Sequence, residues 1–172
     1  MKNRYMFLTA VALPVIVLDQ VTKFIIVRNL EFHGAVTVIR NFFDIVHTRN
    51  QGAAFGFLRD SSIRLPFLIS VSIVAALVVL VVYRKLRPDQ KINAWGLSLV
   101  FAGAVGNLID RARLGEVIDF LNVHWHEHYW PAFNVADSAI CIGVGLLVID
   151  MFIEERRKKK AVMSGKSRGE KT

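Results

Sequence analysis

Two aspartates stand where a carboxylate is expensive. Asp119 lies in "GEVIDFLN" (residues 115–122), among valine, isoleucine and phenylalanine, and Asp137 lies near the head of "NVADSAICIGVGLLVIDMF" (residues 134–152), an otherwise largely apolar run. An ionised carboxylate at mid-bilayer costs about 2.5–3.5 kcal/mol on insertion scales and less near the interface, so such residues usually face a protein interior and mark function. Two carboxylates brought together in a poorly hydrated pocket cannot both ionise cheaply, and the pair holds one shared proton near neutrality. One acid can then deprotonate a water while the other donates to a carbonyl. That hydrolyses a peptide bond with neither a metal nor a covalent intermediate. A structural reading of Asp137 stands beside this one: a carboxylate at a helix start is favoured by the helix dipole, with Asn134 as the candidate cap.

Other polar residues sit within reach of the same chemistry. Asp19 and Lys23 are four apart in an apolar run, so they share a helix face and can pair. Such a pair makes two buried charges tolerable and fixes helix packing, which is favoured over Lys23 as a general base because no serine is poised nearby. In "GNLIDR" (residues 106–111), Asn107 and Arg111 are also four apart. Arg111 could hold a carbonyl or a phosphate at the membrane surface, or snorkel and pair with Asp110. Gly96, Ala102, Gly103 and Gly106 suit close helix packing. His124, His126 and His128 in "HWHEHYW" would share one face of a strand and could suit zinc, but no fourth ligand is evident, so no metal site is expected. Cys141, the single cysteine, is expected to be an inert core residue. Asp150 is expected to be solvated.

The elements that must position these residues are dictated by hydropathy. The chain has 172 residues, 53% of them hydrophobic, and four apolar runs at about 6–27, 66–83, 92–109 and 135–153 account for the excess. Each approaches the roughly 20 residues that cross about 30 Å of hydrocarbon. The expected architecture is one all-α membrane domain, residues 1–160, with a disordered basic tail at 161–172. The first run follows Lys2 and Arg4 but lacks a small-x-small cleavage site, so it reads as a retained helix. Lys2 and Arg4, the loop with Arg84, Lys85, Arg87 and Lys91, and "RRKKK" at residues 156–160 put the basic residues on one side. The positive-inside rule makes that side, with both termini, cytoplasmic. Anionic lipid headgroups account for the basic tail, and no motif for nucleic acid accompanies it. On the far side, "VTVI" (36–39) and "FFDIVHT" (42–48) flank Arg40 and Asn41 as a hairpin, and "EVIDFLNVHW" (116–125) reads as a further strand with Val117, Asp119, Leu121 and Val123 on one face. "QGAAFGFL" (51–58) reads as a short interfacial helix. Trp125, Tyr129, Trp130 and Phe133 suit the headgroup level, which puts both acids near one interfacial site.

Taken in order, "DQVTK" (19–23), "NQGAAFG" (50–56), "GNLIDR", "VIDF" (117–120) and "FNVADSAI" (133–140) resemble the bacterial lipoprotein signal peptidases, the signal peptidase II family. The resemblance runs from about residue 19 to 150. It implies four membrane helices with a small periplasmic β-cradle and a short surface helix. It also implies an inner-membrane aspartyl endopeptidase that cuts the signal peptide from a prolipoprotein just before a diacylglyceryl-modified cysteine, without a cofactor. The catalytic pair maps onto Asp119 and Asp137. The other polar pocket positions map onto Asp19, Lys23, Asn50, Gly52, Asn107, Arg111 and Asn134. Membrane lipids and globomycin-type inhibitors are the further expected partners. The segment at 51–58, with Gly52 and Gly56 as hinges, suits a lid. Two other classes compete: a proton-coupled four-span transporter using Asp19, Asp119 and Asp137 as a relay, for which no inverted repeat is found, and a membrane scaffold whose polar residues only tie helices together.

Overall fold

The computed structural model describes residues 2–52 and 63–169, with side chains over 5–52 and 63–159. Among the described residues, four helices and four strands follow in the order α1 (Lys2–Asn29), β1 (Ala35–Ile39), β2 (Phe43–Asn50), α2 (Arg64–Lys85), α3 (Lys91–Leu114), β3 (Val117–Trp125), β4 (His128–Tyr129) and α4 (Val135–Gly169). The helices carry the expected spans, Tyr5–Asn29, Arg64–Lys85, Lys91–Leu114 and Val135–Lys159, each long and apolar enough to cross a bilayer. Each is longer than the apolar run that announces it. Helical backbone extends until a breaker or cap stops it, whereas hydropathy fades as soon as charges begin. Helical backbone also continues to Gly169, through the segment read as a disordered tail. The expected surface helix and lid at 51–58 fall largely in residues 53–62, outside the described residues.

The central helix is α3, which packs against α1, α2 and α4. Its span is 44% buried against 17–22% for the other three, whose apolar faces meet lipid. Polar groups can therefore be carried on α3 with least cost, and it is there that Asn107, Asp110 and Arg111 stand. Small residues let α4 approach: a Cβ on Gly143 would lie 2.6 Å from the Gly96 carbonyl oxygen, and one on Gly103 would run into the Ala136 carbonyl. Where lipid tails are as apolar as the side chains, such close backbone contact is what drives helices together. Pro14 is accommodated inside α1.

The strands form one antiparallel sheet in the order β1-β2-β3-β4. The hairpin turns at the expected place, with Asn41 in the left-handed region at φ 61°. The register pairs Thr48 with Asp119 and Asn50 with Val117. Gly115 ends α3 at φ 74°, and its N–H bonds to the Arg111 carbonyl at 3.1 Å, which swings the chain straight into β3. The start of β3 lies against the ends of α1 and α3, so Val117, Ile118, Asp119 and Phe120 are all buried and no alternation is seen there. Burial on both faces removes the period-two signal. The backbone turns at His126 (φ 53°), so the three histidines do not share one strand face. His124 is buried and stacks on Tyr129 at 4.6 Å. Asp44 Oδ2 lies 3.0 Å from its Nε2 but without hydrogen-bond geometry. Asp150 is also less solvated than expected, because it accepts a 2.6 Å bond from Asn93.

Candidate active site

The two acids come from elements of different kind and meet at one residue. Asn134 precedes α4 and caps it reciprocally: its Oδ1 accepts the Asp137 N–H at 2.9 Å, and Asp137 Oδ2 accepts the Asn134 N–H at 3.2 Å. With its oxygen committed to a backbone donor, the carboxamide must turn its NH2 the other way. It donates to Asp119 Oδ1 at 2.7 Å, and more weakly to the Ile118 carbonyl at 3.3 Å and Asn107 Oδ1 at 3.4 Å. Asn107 in turn donates to Asp137 Oδ1 at 2.7 Å. Two asparagines therefore bind both carboxylates into one network. The capping and catalytic readings of Asp137 are compatible, since the cap is what aims its side chain.

Behind the asparagines lies a buried ionic cluster. Lys23 Nζ lies 2.8 Å from Asp19 Oδ2 and 2.7 Å from Asp110 Oδ2, with all three side chains no more than 3% exposed. The same ammonium reaches Asn107 Oδ1 at 3.4 Å. Gln20 donates to Asp110 Oδ1 at 2.9 Å and to Asp19 Oδ2 at 3.1 Å. The cluster also holds backbone: Asp19 Oδ1 accepts the Ala136 N–H at 2.9 Å, and Asp110 Oδ2 accepts the Ile118 N–H at 3.3 Å. One carboxylate thus pins the first turn of α4 and the other pins the strand residue before Asp119. Three ions are stable in such a place only because each finds a counter-charge and further hydrogen bonds.

A cavity of about 580 Å³ opens beside the network, lined by Asn50, Gly52, Arg111, Asp137, Ser138 and Cys141 together with residues 130–133 and Ile142. Asp137 is half-buried and lines it. Asp119 is 2% exposed and sits behind the wall. Burial pushes the Asp119 carboxyl up to about 7; the Asp137 charge adds to the rise, while hydrogen bonds from Asn134 and Asn50 and the Lys23 ammonium oppose it. Arg111 donates to Ser72 Oγ at 3.2 Å and lies in the electrostatic field of Asp137 and Asp119.

The profile of the signal peptidase (SPase) II family matches residues 11–153. This chain belongs to the signal peptidase II family. It is 58% identical over 158 residues to the lipoprotein signal peptidase of Geobacter sulfurreducens, across 92% of this chain and 99% of that one. It is 52% identical over 160 residues to that of Geobacter metallireducens, across 93% and 99%. A bacterial membrane enzyme structure solved by the in meso method at 2.3 Å resolution superposes with a TM-score of 0.78 at 33% identity, covering 88% of this chain and 90% of that one. The chain is thus a multi-pass bacterial membrane hydrolase of the signal peptidase II family, with the four spans and small sheet its sequence implied.

Within this signal peptidase II fold, the residues named from sequence fall into two groups. Asp119, Asp137, Asn107, Asn134, Lys23 and Asp19 form the connected network, while Asn50, Gly52 and Arg111 line the cavity with Asp137. Two expectations change. Asp110 pairs with Lys23 rather than serving Arg111, because it faces α1. Cys141 is exposed and lines the cavity instead of filling the core; it stands one helical turn from Asp137 on the same face of α4. Gln20 also belongs to the network and was not singled out, and Asp110 was named only as a partner for Arg111. Their signals were present, since Gln20 adjoins Asp19 and Asp110 stands three residues after Asn107.

Proposed function

We propose that this chain is an aspartic endopeptidase of the bacterial inner membrane, in which Asp119 and Asp137 together hydrolyse the bond just before the lipidated cysteine of a diacylglyceryl-modified prolipoprotein. Removal of signal peptides from prolipoproteins follows from the family. The aspartic chemistry rests on one observation above all: a single asparagine, Asn134, holds both carboxylates, one by its side chain and one by its backbone. Two acids in that relation, one of them deeply buried, suit a shared proton. In this reading Asn50, Gly52 and Arg111, which line the cavity, hold substrate, and Asp19, Lys23, Asn107 and Asn134, which join the network behind it, support the dyad. Both termini are cytoplasmic in this reading, and the sheet and dyad face the periplasm, where a lipid-anchored substrate keeps its acyl chains in the bilayer. Globomycin-type inhibitors and membrane lipids would meet the same cavity. The transporter alternative draws no support from the family.

The test is cleavage of a diacylglyceryl-modified prolipoprotein by protein purified in detergent. Asp119→Asn and Asp137→Asn each reduce turnover by at least roughly 10²–10⁴-fold, the share general acid–base groups contribute, with the fold retained. Turnover close to wild type in either variant would remove the dyad.

A further inference from the structure

The two acids of the dyad are not equivalent, and what distinguishes them lies behind them. Lys23 Nζ can only donate, so the atom of Asn107 that faces it at 3.4 Å is the carbonyl oxygen. The Asn107 NH2 is therefore committed to Asp137 Oδ1 at 2.7 Å. Asp137 Oδ2 receives the Asn134 N–H at 3.2 Å, so both of its oxygens accept a donor, at the first turn of a helix whose dipole favours negative charge. Asp119 also takes two donors, Asn134 Nδ2 at 2.7 Å on Oδ1 and Asn50, but it is almost wholly buried, whereas Asp137 is half-buried and lines the cavity. Donors on both oxygens at a helix start that opens on the cavity favour a carboxylate, and near-complete burial favours a carboxylic acid.

We infer that the Asp19–Lys23–Asp110 cluster with Gln20 is a positioning device: by fixing the Asn107 carboxamide, Lys23 makes Asp137 the carboxylate that takes the proton from water and Asp119 the acid that protonates the scissile carbonyl. This rests on the aspartic reading above and adds the division of labour. In the addition step the water oxygen bonds to the carbonyl carbon, its proton passes to Asp137, and the Asp119 proton passes to the carbonyl oxygen. In the collapse the C–N bond breaks, Asp137 returns its proton to the departing nitrogen, and a hydroxyl of the diol returns one to Asp119. Protons and electrons balance over the cycle. The buried acid is also the one whose carboxyl is raised to about 7. The charged groups facing the pair are Lys23 and Asp19 from α1 and Asp110 and Arg111 from α3, and the neutral donors are Asn50, Asn107 and Asn134.

The pH profile of kcat separates this from the reverse assignment. An acid that must be protonated sets the alkaline limb, and Asn50 and Lys23 both lower the Asp119 value. Asn50→Ala and Asn50→Ser, which leave the buried cluster intact, therefore move the alkaline limb up, by roughly half to one pH unit, and leave the acid limb in place. Lys23→Met combined with Asp110→Asn, which keeps the cluster's net charge, moves the same limb the same way, also moves the acid limb because the Asn107 donor to Asp137 is no longer fixed, and lowers kcat with KM little changed. In the Asn50 variants, movement of the acid limb instead, or of neither, overturns the assignment, and an acid limb that stays in place in the Lys23 variant overturns the positioning role. Infrared spectra give a reading that does not need turnover: in mild acid the protonated-carboxyl band is lost in Asp119→Asn and kept in Asp137→Asn, and the opposite pattern overturns it. A wild type that does not cleave, or dyad variants that do, would instead defeat the aspartic reading itself.

Discussion

Asp119 carries the conflict between stability and function most plainly. Its carboxyl ordinarily titrates at 3.8, and burial pushes it to about 7 in the folded chain. Between those values the unfolded chain has lost the proton and the native chain still holds it. The native state thus binds more protons, and stability falls as pH rises through that window. Asp119→Asn removes the ionisation and keeps an oxygen that can accept from Asn134. Its melting temperature at neutral pH is expected to exceed that of the wild type by a few degrees, at about 2–4 °C per kcal/mol for a chain of this size, while activity is lost. Thermal unfolding of both proteins across the neutral range checks this, and equal curves at every pH would show that Asp119 is not strained by its burial. If Asp119 is the acid of the proposed dyad, the alkaline fall in activity follows the same titration.

Among the elements, the contact between α3 and α4 decides where Asp137 stands. Backbone approaches backbone there, and the glycines are placed accordingly: a Cβ on Gly96 would lie 2.8 Å from the Gly143 carbonyl oxygen, and one on Gly143 2.6 Å from that of Gly96. Carbonyl oxygens of a helix cannot rotate aside as a side chain can. Gly143→Val and Gly103→Val are each expected to cost about 1–3 kcal/mol or more by forcing the helices apart, and Gly103→Val acts closest to the cap at Asn134. Gly145→Val is the control, because a Cβ there meets nothing within 4 Å. Unfolding in detergent orders the three, and a control as damaging as the interface variants would show that glycine's backbone freedom matters rather than contact.

For the whole molecule, the polar network is affordable because it is enclosed at the junction of bundle and sheet. The helices turn apolar faces outward, and the sheet covers the ends of α1 and α3. The charge pattern sets the expected orientation in the membrane. In a Cys141→Ala background, Thr37→Cys on the exposed strand β1 is expected to react with a membrane-impermeant thiol reagent from the periplasmic side. Lys158→Cys, beyond the apolar part of α4, reacts only after the inner membrane is opened. The reverse order of labelling would invert the topology and put the dyad on the wrong side for a lipidated substrate.

Apolar runs near the length of a bilayer, charge on one side, and β-branched segments between spans sufficed to recover four helices and the sheet, because these depend on local composition. The motifs named the acids and asparagines that the structure brings into one network. What composition could not supply was pairing. Whether Asp110 serves Arg111 or Lys23, and whether Cys141 faces the core or a cavity, depends on how helices rotate about their axes, and helices apolar on nearly every face carry no strong periodicity to fix that rotation. The contact of Asp119 with Asn134 likewise joins a strand to a helix cap across chain that no local pattern links. Sequence alone thus determined the parts and the side chains they carry. The packing of α1, α3 and α4 decided which carboxylate is shielded from the cavity and which one lines it.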